Sequence, residues 1–557
     1  MIPVRLDLPA GLTTWCRMDC SEDVSSSSLL IRWADAVAIT LLLAVAVWML
    51  RLSFVLPITP DASIYLLHAR TFTETLNRFA LSHDSKGIML VFLLALPVKL
   101  FGATMVAAAT AQLGAYLVVA AAMIWLLRRS IGMAVALAAL WLIAAFSPLM
   151  WGGRVRPEDF GMAFGMVALL AAVGGRRSGL AVCGAMAAMA FFTKGSLVLA
   201  PLGVGCVAWL LSCRSHKPVG RCLACDLGLW IGGAGVVALL VVGWIVWVDE
   251  PAAWIRQTFL WPAEYKRAVG KAGGTLTGIG NLFALLQAGR LQWLFVGGIA
   301  GICYGWRRGA PRVAALLATY VACECLRVIL ECEPWHYLVA GMVSPLLMGC
   351  ALLGFTPEGR FRRRGVGVAL LLLAPVLWGQ LPDALQATRT RLLDPQKTPL
   401  EVLAERMAPG YGPGEQIMVN GADYQLLLLL HAPRPYPVLP LHLYAVSPEE
   451  YAMAAAHFAG QPPDWIIDSQ PENSPVSFDC TGHPDRLAYV YKVSGESREA
   501  LFALGGRYPF GGAAGSIPRQ LLAGHPYRLA ADTGLHQAWR YETDEETPTP
   551  IRAEEEQ

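Results

Sequence analysis

Charge is scarce in this chain. Asp, Glu, Lys and Arg make up only 15% of its 557 residues, where a soluble domain carries roughly 25%. Apolar types fill 55% of it, so a protein built around one water-surrounded core is excluded. The basic excess is also small: a net charge of +3 gives no polycationic surface for nucleic acid. There is no second C-x-x-C to complete the lone Cys222–Cys225 pair, which excludes the usual four-ligand zinc site. The other cysteines are scattered, and Cys183, Cys206, Cys303 and Cys350 lie inside apolar runs as small hydrophobes. No internal repeat is visible. A cleavable signal is not expected either. Residues 1–30 are polar, with Cys16, Asp19, Cys20 and a serine run. The first apolar run, from Trp33, is too long for a signal h-region and is expected to be a retained span.

Long apolar runs are what the chain does have. Crossing a bilayer takes about 20 apolar residues. Candidate spans fall at 36–57, 103–127, 131–150, 160–175, 179–193, 196–212, 226–248, 291–306, 313–330, 337–356 and 365–380, eleven in all. The run 87–101 is short and interrupted by Pro97 and Lys99, and is expected to lie at the membrane surface or to insert partway. Arginine and lysine in short connections set orientation. Arg128 and Arg129, Arg176 and Arg177, Arg214, Lys217 and Arg221, Arg307, Arg308 and Arg312, and Arg360 to Arg364 occupy every second connection. With the N-terminus inside, these clusters face the cytoplasm. A full crossing by 87–101 would invert them.

The outer connections are then 58–86, 151–159, the corner at Lys194, 249–290 and the Glu331–Tyr337 turn. After Gly379 the composition shifts toward Pro, Asp, Glu and His. The short runs Gln416–Val419, Gln425–Leu430 and Asp464–Ile467 are expected as strands or buried helices of an outer α/β domain. The expected organisation is a cytoplasmic segment 1–32, a transmembrane domain 33–380, an extracytoplasmic domain 381–540, and an acidic disordered tail 541–557. The fold class is mostly α: a polytopic α-helical membrane protein with a C-terminal α/β domain.

Chemistry concentrates in the outer connections. Asp61 lies where a helix begins after the first span, as a helix cap or as a catalytic carboxylate. Tyr65 and Ala69 follow at i+4 and i+8, on the same helix face. Lys86 precedes the 87–101 run. The second outer connection holds Arg154, Arg156, Glu158 and Asp159. Glu324, Arg327 and Glu331 fall on one face of a span, and His336 and Tyr337 follow. Ionisable groups within a span are costly and mark function by default, although a self-compensating Glu–Arg–Glu triplet is the structural alternative.

The order of these features resembles the GT-C membrane glycosyltransferases. They resemble especially the branch of lipid-A aminoarabinose transferases and protein O-mannosyltransferases (glycosyltransferase family 39-like). The family's Asp-Glu-x-x-Tyr-x-x-x-Ala signature is matched by Asp61, Tyr65 and Ala69, with Ala62 in place of the second acid. Its Lys-Pro-Pro stretch leading to Leu-Phe-Gly is matched by Lys86 and by Leu100-Phe101-Gly102, without the prolines. The acidic second loop is matched by Arg154 to Asp159, and a late basic-Tyr element by His336-Tyr337 before Pro345.

The resemblance covers about residues 33–360. It implies a sugar donor on a polyprenyl phosphate, an acceptor hydroxyl on a lipid, glycan or protein, and a metal-independent, cofactor-free inverting displacement. Asp61 would be the general base, with Glu158 as the partner acid and Asp159 as its competitor. Lys86, Arg154, Arg156, Arg327 and His336 would hold phosphate, and Tyr65 would orient the loop. The rival reading is a transporter or lipid-linked-sugar flippase. Such folds show repeated halves and midplane breaks, whereas here the polar residues gather at one side. The Ala, Gly and Arg content suits a bacterial cytoplasmic membrane.

Overall fold

The structure is a computed structural model. It describes residues 36–37, 39–48, 51, 60–76, 87–127, 131–145, 155–213, 219–248, 251–255, 275–288, 290–331, 336–354, 363–393, 397–420, 424–432, 456–468, 521–522, 524–533 and 536–542. Its first part is all helix. In chain order come α1 (Ile39–Trp48), α2 (Pro60–Thr75), α3 (Ile88–Phe101), α4 (Met105–Leu126), α5 (Ile131–Ala145), α6 (Pro157–Val173) and α7 (Arg177–Thr193). They are followed by α8 (Leu199–Cys213), α9 (Val219–Val248), α10 (Pro251–Ile255), α11 (Thr275–Ala288), α12 (Gln292–Arg307), α13 (Pro311–Glu331), α14 (Ala340–Ala351) and α15 (Arg363–Leu393).

Each expected span corresponds to one of these helices, but length divides them. Among the described residues, four stretches are long and apolar enough to cross a bilayer unaided: Met105–Leu126, Gly195–Ser212, Ala224–Trp247 and Pro311–Glu331. The others are shorter apolar helices, such as Arg177–Thr193 and Arg364–Trp378, so helix length by itself does not establish eleven crossings. The outward surface fits a lipid solvent. Leu239, Leu240 and Trp247 of α9 are 76%, 70% and 78% exposed, which water would penalise and acyl chains do not. α3 has 14 residues, a rise of about 21 Å, short of the roughly 30 Å hydrocarbon core.

The connection expected at 249–290 contains α11. Leu282, Leu285 and Leu286 recur at helical spacing and are buried. α11 and α12 meet at a 105° bend, where Arg290 adopts a positive φ of 53°. The helix opening at Arg363 continues to Leu393, across the boundary expected at 380/381.

Beyond it the chain forms α16 (Pro399–Met407), β1 (Ile417–Asn420), α17 (Gln425–Leu429), β2 (Trp465–Asp468), β3 (Tyr527–Asp532) and β4 (Gln537–Tyr541). The expected runs thus become strand, helix and strand. The sheet order is β1-β2-β4-β3. β1 and β2 run parallel, with Ile417 opposite Trp465, while β4 is antiparallel to both β2 and β3. A parallel pair needs a crossover connection. This one carries α17, whose Leu426, Leu427 and Leu428 are buried. Tyr541, expected to open the disordered tail, instead closes β4 and donates its N–H to Asp464 O at 2.8 Å. The correction has a simple cause: alternating Ala538 and Arg540 with aromatic Trp539 and Tyr541 favours a strand. Residues 543–557 lie outside the described part.

α2 joins the two parts. Ala62, Tyr65, Leu66 and Ala69 are buried, α2 packs on α3 and α17, and Arg70 donates from Nη2 to Ala432 O at 2.6 Å. The start of α3 is held equally closely. Gly87 donates its N–H to Thr193 O at 2.9 Å, and a Cβ at Gly87 would lie 1.7 Å from Phe192 O. Only a residue without Cβ fits there. Gly87→Ala should destabilise the purified protein by about 2 kcal/mol or more in detergent melts. Gly195→Ala, where a Cβ meets nothing within 4 Å, should be nearly neutral.

Candidate active site

Three helix ends build a buried ionic cluster. Glu158 comes from the first turn of α6, just after Pro157 at the favoured first helical position. Lys194 is the extended residue between the end of α7 and the 3-10 turn Gly195–Val198. Glu324, Arg327 and Glu331 come from one face of α13, as their spacing predicts, and are 5%, 1% and 4% exposed.

The side chains alternate in sign. Lys194 Nζ donates to Glu158 Oε1 at 2.7 Å and to Glu331 Oε2 at 3.0 Å. Ser196 Oγ donates to Glu331 Oε1 at 2.5 Å. Arg327 donates from Nη1 to Glu331 Oε1 at 3.4 Å and from Nε and Nη2 to Glu324 Oε2 at 3.2 and 2.8 Å. Its Nη2 also donates to Leu338 O at 2.7 Å. Burying each of these ions costs several kcal/mol, and only pairing of this kind offsets it. When all five are ionised, three carboxylates face two cations, so the group carries one excess negative charge.

Asp159, adjacent in sequence, has different surroundings. Its carboxylate accepts from Gln112 Nε2 at 2.8 Å, Tyr116 Oη at 2.9 Å and the Arg156 backbone N–H at 3.0 Å. Three donors satisfy it and fasten α6 to α4. Tyr65 is 5% exposed within the core, and Arg156 is 8% exposed at the cap of α6.

The remaining expected residues are located only by their neighbours. The backbone of Asp61 is the second residue of α2, but its side chain lies outside the described part. His336 and Tyr337 open a 3-10 turn directly before Leu338, and their side chains also lie outside it. Lys86 and Arg154 are not described. Gly87, however, donates its N–H to the carbonyl of Thr193, the residue before Lys194, so the chain at Gly87 comes up to the Lys194 corner. Among the described residues, no three His, Cys, Asp or Glu side chains converge as a metal site.

Sequence reasoning treated Lys194 only as a corner and passed over Ser196, Gln112 and Tyr116. A lysine between two apolar runs was the available signal. Gln112 is a lone amide in a span, and nothing local ties it to Asp159.

Two solved structures share this architecture. The crystal structure of ArnT from Cupriavidus metallidurans bound to undecaprenyl phosphate matches with a TM-score of 0.54 at 15% identity, covering 94% of this chain and 100% of that one. The same protein in the apo state matches at 0.51 and 17% identity, covering 92% and 98%. The oligosaccharyltransferase of Archaeoglobus fulgidus aligns at 0.44 and 12% identity over 82% of this chain and 71% of that one, and the fold assignment does not rest on it. No family model matches the chain, and no curated protein does. The fold is the GT-C fold of polytopic membrane glycosyltransferases, as the order of motifs led one to expect.

Lys194→Met would leave Glu158 and Glu331 without their shared cation. It should cost about 3–5 kcal/mol. Adding Glu331→Gln should restore part of the loss, and a double-mutant cycle on melting in detergent measures the coupling.

Proposed function

We propose that this chain is a membrane glycosyltransferase that moves a sugar from a polyprenyl-phosphate donor to an acceptor hydroxyl at the extracytoplasmic face. The observation that carries the reading is the Lys194 cluster: a part-exposed ammonium held by two buried carboxylates at a corner that Gly87 also approaches through Thr193. The GT-C fold, and the undecaprenyl phosphate in one ArnT structure of that fold, support it.

An ammonium has three donors. Two of those on Lys194 are directed to Glu158 and Glu331, and 22% of its side chain stays exposed. The third is the donor offered to an incoming phosphate oxygen. Because the cluster is one negative charge in excess, an anionic donor needs further cations there. Lys86, Arg154, Arg156 and His336 are the candidates, with Tyr337 beside the last. Arg327 has another task in this reading. Its guanidinium is enclosed by Glu324, Glu331 and Leu338 O, so it positions Glu331 and, through it, Lys194. Glu158 orients Lys194 as the partner acid, and Asp159 clamps α6 to α4.

The chemical step is a single displacement. Asp61 takes the acceptor's proton, and the acceptor oxygen bonds to the anomeric carbon from the face opposite the phosphate. The carbon–oxygen bond to phosphate breaks with its electron pair, and polyprenyl phosphate leaves against the cations. One carboxylate base suffices, unlike the paired carboxylates of a glycosidase. The acceptor is a lipid, glycan or protein hydroxyl, and the enzyme resides in the bacterial cytoplasmic membrane.

The test uses membranes containing the full-length protein and a labelled polyprenyl-phosphate sugar. Asp61→Asn should lower transfer by roughly 10²–10⁴-fold with donor binding kept. Undiminished transfer by that variant would remove Asp61 from the role of base.

A further inference from the structure

The helical hairpin that carries Glu158 and Lys194 has a second, opposite end. α6 and α7 each have 17 residues, so their far ends lie about 25 Å from the ionic cluster. There Arg176, Arg177 and Arg312 line a small open recess together with Gly175, Ala172 and Ser212.

Arginines in such connections ordinarily serve only topology and need nothing but water. These three are arranged differently. Arg312, from the first turn of α13, folds inward and donates from Nε and Nη2 to Ala172 O at 3.3 and 2.9 Å. A guanidinium has five N–H donors, and one carbonyl occupies only two of these. Gly175, at φ +70°, turns the chain tightly under that guanidinium, and a Cβ there would sit 3.4 Å from its central carbon. Arg177 places Nε 3.3 Å from Asp226 Oδ1, a carboxylate buried at 0% exposure that Ser212 Oγ also reaches. Arg176 is exposed at the rim. Among the described residues, one carboxylate faces three guanidiniums, an excess of positive charge. The first turn of α7 adds the positive end of its helix dipole.

We infer that this recess is a binding site for a phosphate group, held by Arg176, Arg177 and Arg312 at the membrane face opposite the ionic cluster. The occupant is the phosphodiester of an anionic phospholipid from that leaflet. Guanidinium suits phosphate oxygens through paired N–H donors, and basic pockets between helix ends take such headgroups. Bound there, the headgroup would fix the depth of the same hairpin that presents Glu158 and Lys194 at its other end. The inference stands independently of the reaction proposed above.

The experiment uses the full-length protein in a neutral detergent. Melting and native mass spectrometry are followed on adding phosphatidylglycerol, phosphatidylcholine or inorganic phosphate. Phosphatidylglycerol should raise the melting temperature more than phosphatidylcholine does. Arg312→Gln should weaken phosphatidylglycerol binding about tenfold. Because Arg312 also holds Ala172 O, Arg176→Gln serves as the second variant. It should melt as the parent does without lipid and still lose part of the lipid-induced shift. An equal shift with inorganic phosphate, lost in the same variants, would support the phosphate site and assign its source to solution. Undiminished phosphatidylglycerol stabilisation in both variants, or none in the parent, would overturn the inference.

Discussion

A part-buried lysine between two buried carboxylates organises this molecule. Neither Lys194, Glu158 nor Glu331 could be enclosed alone, because an unpaired ion in a low-dielectric interior costs more than a single helix contact returns. Pairing them compels the ends of α6, α7 and α13 to meet at one point, with the 2.7 and 3.0 Å contacts of Lys194 as the joint. Arg327, 1% exposed, extends the alternation to Glu324 and onward to Leu338 O. The helices around this point can be short and lipid-facing because their convergence is fixed by charge as well as by packing.

The same joint explains why neighbouring acids differ. Glu158 and Asp159 follow one another on the first turn of α6, so they point in different directions around it. One meets an ammonium. The other meets an amide, a phenol and a backbone N–H. In the proposed reaction this divides labour between an acid that holds a phosphate-binding cation in place and one that holds the helix. The arginines at the far end of the hairpin would give it a second fixed point, so that both membrane faces set where Lys194 stands.

Much of the architecture was legible in the sequence because it depends on local pattern. Apolar run length located the helices, the spacing of Glu324, Arg327 and Glu331 put them on one face, and Tyr65 with Ala69 marked the buried side of α2. The pairings were not legible. Lys194 finds Glu331 across 137 residues and Gln112 finds Asp159 across 47, and no periodicity encodes such distances. α11 escaped for a different reason: its 14 residues fall short of the about 20 that a crossing needs. β4 escaped because its five residues adjoin an acidic run that dominates the composition.

The central claim is that the Lys194 corner receives a polyprenyl phosphate, and native mass spectrometry of the protein extracted from membranes tests it most directly. The account predicts that the parent protein retains polyprenyl phosphate through purification. The Lys194→Ala, Glu331→Gln double variant, with the corner's charges removed in a matched pair, should retain at least about tenfold less. Equal retention of the lipid by parent and double variant would contradict the account.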